Sequence, residues 1–199
     1  MKGYRISSID VNGISEETLR SHFAVMDEKK KAEILSLPSD VKKKQKIAAD
    51  MLCRRMISEK CGISPESVVF AKNENGKPDA VNANVFFSIS HSADTVVCAV
   101  SENEIGIDIE KVRSIRLRVA EKFATDSEIG YIGEDISRFF EIWTLKEAFF
   151  KCKGTGLGAD IKSVSFEITK GSVSCSENGY TLFFEEIIDG YKCSVCVKK

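Results

Sequence analysis

Two short stretches place carboxylates at spacings that serve a metal ion or a proton transfer. In Ile105-Gly106-Ile107-Asp108-Ile109-Glu110 the side chains of an extended chain alternate. Ile105, Ile107 and Ile109 then turn to a core, while Gly106, Asp108 and Glu110 share the opposite face. Asp108 and Glu110 stand about 7 Å apart at their Cα atoms, twice the rise per strand residue. Hard oxygens fixed on a strand suit Mg²⁺, whose remaining positions substrate phosphates fill. The adjacent glycine leaves room for a ligand to approach the backbone. Taken alone, the pair reads more readily as the wet face of an edge strand. Further on, Trp143, Glu147 and Lys151 recur at i, i+4 and i+8, which stacks them on one helix face. Glu147 and Lys151 form either a surface ion pair or, where that face meets the strand, a third metal ligand and a phosphate contact, with Trp143 packed behind. Lys77, in Gly76-Lys77-Pro78, and His91, after Ser90, are ordinary surface residues in isolation. Beside three carboxylates around one dication, they and Lys151 supply the positive charge that a bound polyphosphate requires.

The elements that must hold these residues follow from caps and periodicity. Residues 4–9 read as a strand, 15–26 as a helix opened by Ser15, and 27–35 as a further helical stretch. Pro38-Ser39-Asp40 opens a long amphipathic helix over 41–60 with a basic first half, ended by Gly62. Residues 67–71 read as a strand, and Asn73 to Pro78 as a loop. Residues 85–90 and 95–100 form a hairpin around His91-Ser92-Ala93-Asp94, followed by the strand over 105–110. Short helices over 117–123 and 126–132 precede a helix over 135–153, which the glycines at 154, 156 and 158 end. Strands over 163–169, 180–186 and 191–197 complete the chain. Both halves run helix then strands, without a sequence repeat or a Gly-, Pro- or Ser-rich linker, so an α+β fold with closely packed halves is expected.

Composition excludes several classes of function. The 199 residues are 43% hydrophobic and 30% charged, ample for a core and against disorder. Twenty-nine basic and 30 acidic residues leave a net charge of −1, so no overall field draws the chain to nucleic acid or anionic lipid, and any anion site is local. No apolar run approaches the ~20 residues of a membrane helix. The start, Met1 to Ile6, lacks the apolar core of a secretory signal, and the seven scattered cysteines fit reduced thiols, so a cytoplasmic protein is expected. Cys193-Ser194-Val195-Cys196 has metal-motif spacing but no second pair, and reads as a strand with two small apolar residues on opposite faces.

Taken in order, Gly76-Lys77-Pro78, Phe87-Ser88-Ile89-Ser90-His91-Ser92, Ile105-Gly106-Ile107-Asp108-Ile109-Glu110 and Trp143-Thr144-Leu145-Lys146-Glu147-Ala148-Phe149-Phe150-Lys151 resemble the 4′-phosphopantetheinyl transferase superfamily. The likeness is to its longer, surfactin-synthetase-activating type and covers residues 28–158 in pieces. It implies two pseudo-equivalent halves, 1–103 and 104–199, each a helix on a small antiparallel sheet, with the active site at their interface. It implies transfer of the phosphopantetheine arm of coenzyme A to a serine of an apo acyl or peptidyl carrier protein, releasing adenosine 3′,5′-bisphosphate. Asp108, Glu110 and Glu147 are then the expected Mg²⁺ ligands. Glu147 is also the expected base, with Lys151 at the reacting phosphate. Lys29, Lys46, Lys77, Ser90, His91 and Lys151 are the expected coenzyme A contacts, His91 at the 3′-phosphate. The sequence departs from the family at Ala32, where a second lysine is expected, and at Gln45-Lys46, where Arg-Thr is common. Carriers are acidic beside their modified serine, so Lys111 to Arg118, with Arg113 and Arg116, is the expected docking surface of a monomer. Two other readings compete: a Mg²⁺-dependent phosphohydrolase acting on coenzyme A, and a binding module without turnover.

Overall fold

Three consecutive side-chain caps begin the helical part of the N-terminal half. Ser15, Asp27 and Ser39 each accept a hydrogen bond from the backbone N–H three residues on, which satisfies one of the unpaired donors of a first turn. In this computed structural model, residues 3–158 and 160–199 are described. In chain order the elements are β1 (Tyr4–Asp10), α1 (Glu16–Val25), α2 (Glu28–Leu35), α3 (Asp40–Cys61), β2 (Phe70–Lys72), β3 (Pro78–Ala80), β4 (Phe86–Ser92), β5 (Thr95–Ser101) and β6 (Ile105–Lys111). There follow α4 (Asp126–Ile132), α5 (Ile136–Lys153), β7 (Phe166–Thr169), β8 (Ser172–Cys175), β9 (Tyr180–Phe184) and β10 (Tyr191–Lys198). The mixture is α+β, as the sequence leads one to expect.

Two three-stranded antiparallel sheets, ordered β1-β5-β4 and β6-β10-β9, form the centre. The first is in register from Tyr4↔Ser101 to Asp10↔Thr95 and from Phe86↔Ser101 to Ser92↔Thr95. The second pairs Tyr191↔Lys111 through Val197↔Ile105. Alternation along β5 sends Val96, Cys98 and Val100 to Ala48, Leu52, Cys53, Met56 and Ile57 of α3. The intervening Val97 and Ala99 meet Ile105, Ile107 and Ile109 of β6 and Cys193 and Val195 of β10. The other face of the second sheet, with Cys196 and Leu182, packs under Leu145, Ala148, Phe149 and Cys152 of α5. The layers therefore run α3, first sheet, second sheet, α5. Cys193 and Cys196 lie in different core clusters, so the expected opposite-face placement holds.

Several local expectations change. The hairpin turn is Ala93-Asp94 alone, with Ala93 at φ 49, so His91 and Ser92 are the last residues of β4 rather than loop residues. Gln45, at the departure from the family pattern, donates its side-chain amide to the Ala93 carbonyl at 2.6 Å and thereby braces this turn. Residues 65–67 and 117–122 form 3₁₀ turns, and the strand expected over 67–71 begins only at Phe70. The strand expected over 163–169 is shortened to β7, and the short strands β3 and β8 were not anticipated.

Candidate active site

Both faces of β6 are covered, which decides the character of its carboxylates. Ile105, Ile107 and Ile109 are fully buried as expected, but Asp108 is only 4% exposed, so the wet-edge reading fails. The reason lies at Gly106: a Cβ there would stand 1.9 Å from the Ala148 carbonyl oxygen and 2.4 Å from the Cys152 nitrogen. The glycine admits the backbone of α5 to the strand, not a ligand. Close approach of α5 brings its Glu147 and Lys151 over the Asp108 side of β6.

Lys151 does not pair with Glu147. Its Nζ donates to Asp108 Oδ1 at 2.6 Å, to Ser90 Oγ at 3.0 Å and to the Ile107 carbonyl at 3.3 Å. The Ser90 hydroxyl donates to the same Asp108 Oδ1 at 2.6 Å. Asp108 Oδ2 is buried without a hydrogen-bond partner among the described residues. Burial pushes the Asp108 carboxyl up, although Lys151 and Ser90 oppose it. Glu110 is more open; its Oε2 accepts from Ser92 Oγ at 2.7 Å and Arg113 Nη1 at 3.1 Å. Burial raises the Glu147 carboxyl to about 7, with Lys151 lowering it and the charges of Asp108 and Glu110 raising it further. Three carboxylates thus lie within electrostatic reach of one another, and an unpaired buried oxygen points to a missing positive partner. This donor set of hard oxygens is one that a small dication fits. As placed, no group of three or more His, Cys, Asp or Glu side chains among the described residues could hold a metal ion.

The remaining expected contacts fall around this centre. His91 is exposed at the end of β4, and its ring is held below the ordinary histidine range by desolvation of its inner side and by Lys46 and Lys151. Lys46 of α3 is exposed, and its charge reaches the His91 ring. Lys29 is exposed on α2 and has no side-chain partner among the described residues. Lys77 is displaced from the carboxylates: its Nζ donates to the Ile105 carbonyl at 3.2 Å, at the start of β6. Its loop is folded by Asn73, whose Oδ1 accepts the backbone N–H of Asn75 and Lys77, and Asn75 donates to the Gly154 carbonyl at 2.8 Å. Gly154, at φ 75, ends α5 beside this loop. Trp143 packs edge-on against Phe123 at 4.9 Å between ring centroids.

Sequence reasoning missed the groups that hold these elements in place. Ser88, Ser90 and Ser92 line one face of β4; Ser88 and Ser92 accept the backbone N–H groups of Ile107 and Lys111, each at 3.1 Å. With the Ser90–Asp108 and Ser92–Glu110 bonds, a serine row joins the two sheets at the site. Its period of two was a visible signal. Asp50 of α3, with its side chain wholly buried, binds His22 of α1 and Arg54 at 2.7 Å each, and Lys30 of α2. Lys146, inside the tryptophan motif, is a strut: it pairs with buried Glu128 at 2.9 Å and donates to the carbonyls of Ile161 and Val164.

Residues 104–196 match the family model described as 4′-phosphopantetheinyl transferase superfamily, and residues 14–103 the one described as 4′-phosphopantetheinyl transferase, N-terminal. The 4′-phosphopantetheinyl transferase gsp of Aneurinibacillus migulanus is 35% identical over 161 residues, 75% of this chain and 67% of that protein. The 4′-phosphopantetheinyl transferase Sfp of Bacillus subtilis is 33% identical over 163 residues, 75% of this chain and 72% of its own. Among solved structures, the holo-[acyl-carrier-protein] synthase of Thermotoga maritima aligns with a TM-score of 0.42 at 24% identity, over 48% of this chain and 62% of that one. With both halves matched in order and relatives of this identity, the chain belongs to the 4′-phosphopantetheinyl transferase superfamily, in its surfactin-activating type, and is a transferase.

Proposed function

We propose that the protein transfers the 4′-phosphopantetheine arm of coenzyme A to a serine hydroxyl of an apo acyl or peptidyl carrier protein, with Mg²⁺, releasing adenosine 3′,5′-bisphosphate. The observation that carries the reading is the buried, unpartnered Oδ2 of Asp108, a carboxylate whose Oδ1 binds Lys151 and which lies within electrostatic reach of Glu147. Asp108, Glu110 and Glu147 would hold the ion. When bound, it neutralises the pyrophosphate and stabilises charge on the leaving phosphate.

The chain's own groups do the rest. Lys151 has three acceptors within reach and exchanges one of them for a phosphate oxygen of the arm. Glu147 is half-buried, and its raised proton affinity suits it to accept the proton of the carrier serine. The serine oxygen forms its bond to the phosphorus of the arm while the phosphorus–oxygen bond to the adenosine bisphosphate breaks. Ser90 and His91, at the end of β4, lie beside the phosphates, and exposed Lys46 and Lys29 supply charge to the 3′-phosphate. Lys77 steadies the start of β6 and contacts coenzyme A from there.

The division into halves at 103 and 104 is supported by the boundary between the two matching family models, and the site then lies at their interface. The carrier docks along 111–118, where Arg116 is exposed and Arg113 is 57% exposed. No helix among the described residues is long and apolar enough to cross a membrane. The seven free cysteines fit a reducing compartment such as the cytoplasm, and two pseudo-equivalent halves in one chain favour a monomer. Chromatographic release of adenosine 3′,5′-bisphosphate tests the reading. Release that requires an apo carrier supports transfer; equal release without any carrier means that water is the acceptor and the protein is a hydrolase.

A further inference from the structure

The two β6 carboxylates are held in the same way. Asp108 has one oxygen, Oδ1, fixed between the Ser90 hydroxyl at 2.6 Å and the Lys151 ammonium at 2.6 Å. Glu110 has one oxygen, Oε2, fixed between the Ser92 hydroxyl at 2.7 Å and the Arg113 guanidinium at 3.1 Å. In each case the second oxygen is without a hydrogen-bond partner among the described residues. Both serines come from one face of β4, and the offset from serine to carboxylate is the same, 18 residues. Ser92 is itself fixed, because it accepts the backbone N–H of Lys111 at 3.1 Å. Arg113 is fixed on its other side by the Phe140 ring, 5.2 Å from its guanidinium carbon.

We propose that Ser92 and Arg113 are positioning residues for Glu110: together they lock Oε2 so that Oε1 is presented toward the free oxygen of Asp108 as a ligand for the divalent cation. The inference rests on the reading of Asp108, Glu110 and Glu147 as the cation site. It also gives Arg113 a second duty beside the carrier surface. A flexible glutamate on the open end of a strand samples several rotamers, and the two donors leave it one. The effect is on cation affinity, through a residue that does not itself touch the ion.

The test is a titration of the full-length, chelator-treated protein with Mn²⁺ alone, followed by electron paramagnetic resonance of the free ion. Removing such a supporting hydrogen bond weakens metal binding about tenfold or more, and that loss is expected for Ser92→Ala. Ser92→Thr, which keeps the hydroxyl, restores binding, a result that general loosening of the fold does not give. Arg113→Lys keeps the charge but loses the planar fork, and weakens binding in the same direction. Arg113 is exposed, so this variant folds even where Ser92→Ala does not. Wild-type affinity in both Ser92→Ala and Arg113→Lys, with binding abolished in Asp108→Ala, overturns the positioning role and leaves the cation site standing. Binding that is absent in the wild type, or unchanged in Asp108→Ala, overturns the cation site and this inference with it.

Discussion

Asp50 shows how much one side chain can organise. Its carboxylate is wholly buried, a placement that alone raises its proton affinity; hydrogen bonding from His22 and the charges of Lys30 and Arg54 reverse this and hold it well below the usual carboxylate range. A folded value below the unfolded one means that the stabilisation is complete above the ordinary aspartate range near 4 and is lost progressively as the pH falls from there through the much lower folded value. Asp50→Asn should therefore lose about 3–5 kcal/mol at pH 7, because it leaves Lys30 and Arg54 without their partner. The difference from wild type should begin to narrow below about pH 5 and go on narrowing below about pH 3 in urea denaturation. A constant difference would show that the loss is one of packing rather than charge. At the reacting centre, Glu147→Gln keeps the volume and removes the proton acceptor. The expected outcome is a fall in carrier loading by a factor of about 10²–10⁴, with coenzyme A still bound in calorimetric titration. Near-normal turnover would take the proton from Glu147 and give it to another group.

At the scale of elements, the site depends on how closely α5 lies on β6. Gly106→Ala places a methyl group against the backbone of Ala148 and Cys152, which cannot turn aside as a side chain can. A loss of about 3 kcal/mol or more is expected in urea denaturation, the upper range for overpacking, together with loss of carrier loading as Lys151 and Glu147 are pushed from Asp108. The alternation of 105–110 and the i, i+4, i+8 row on α5 were legible in the sequence, since each is a periodicity within one element. That the Asp108 face is buried was not, because burial there comes from a helix some 40 residues on. For the same reason, the glycine's role was misread as space for a ligand. His91 and Ser92 were assigned to a turn since nothing in their types shows that Ala93 accepts a positive φ and closes the hairpin in two residues. β3 and β8, three and four residues long, carry too few positions for a pattern.

Over the whole molecule, the two sheets share a core: Val97 and Ala99 of one meet Ile105, Ile107, Ile109, Cys193 and Val195 of the other. The serine row of β4 then binds β6 at the site itself. Halves joined in this way should unfold together. Trp143, the only tryptophan, reports on the α5 side by fluorescence, and far-ultraviolet dichroism reports on all elements. Coincident urea transitions are expected, whereas an earlier fluorescence transition would show that the C-terminal half melts alone. The residues of the candidate site were legible because four motifs stand in one order along the chain. Their partnerships were not, since Ser90–Asp108, Lys151–Asp108 and Ser92–Glu110 cross between elements that only the fold brings together.

The proposed transfer of the phosphopantetheine arm depends on the Asp108 cluster. The most direct test is intact-protein mass spectrometry of an apo acyl carrier protein incubated with this protein, coenzyme A and Mg²⁺, beside Asp108→Ala and a chelator control. A gain of one phosphopantetheine arm is expected that disappears in both controls. A carrier that stays unmodified with the wild type, or one that is modified equally by Asp108→Ala, would contradict it.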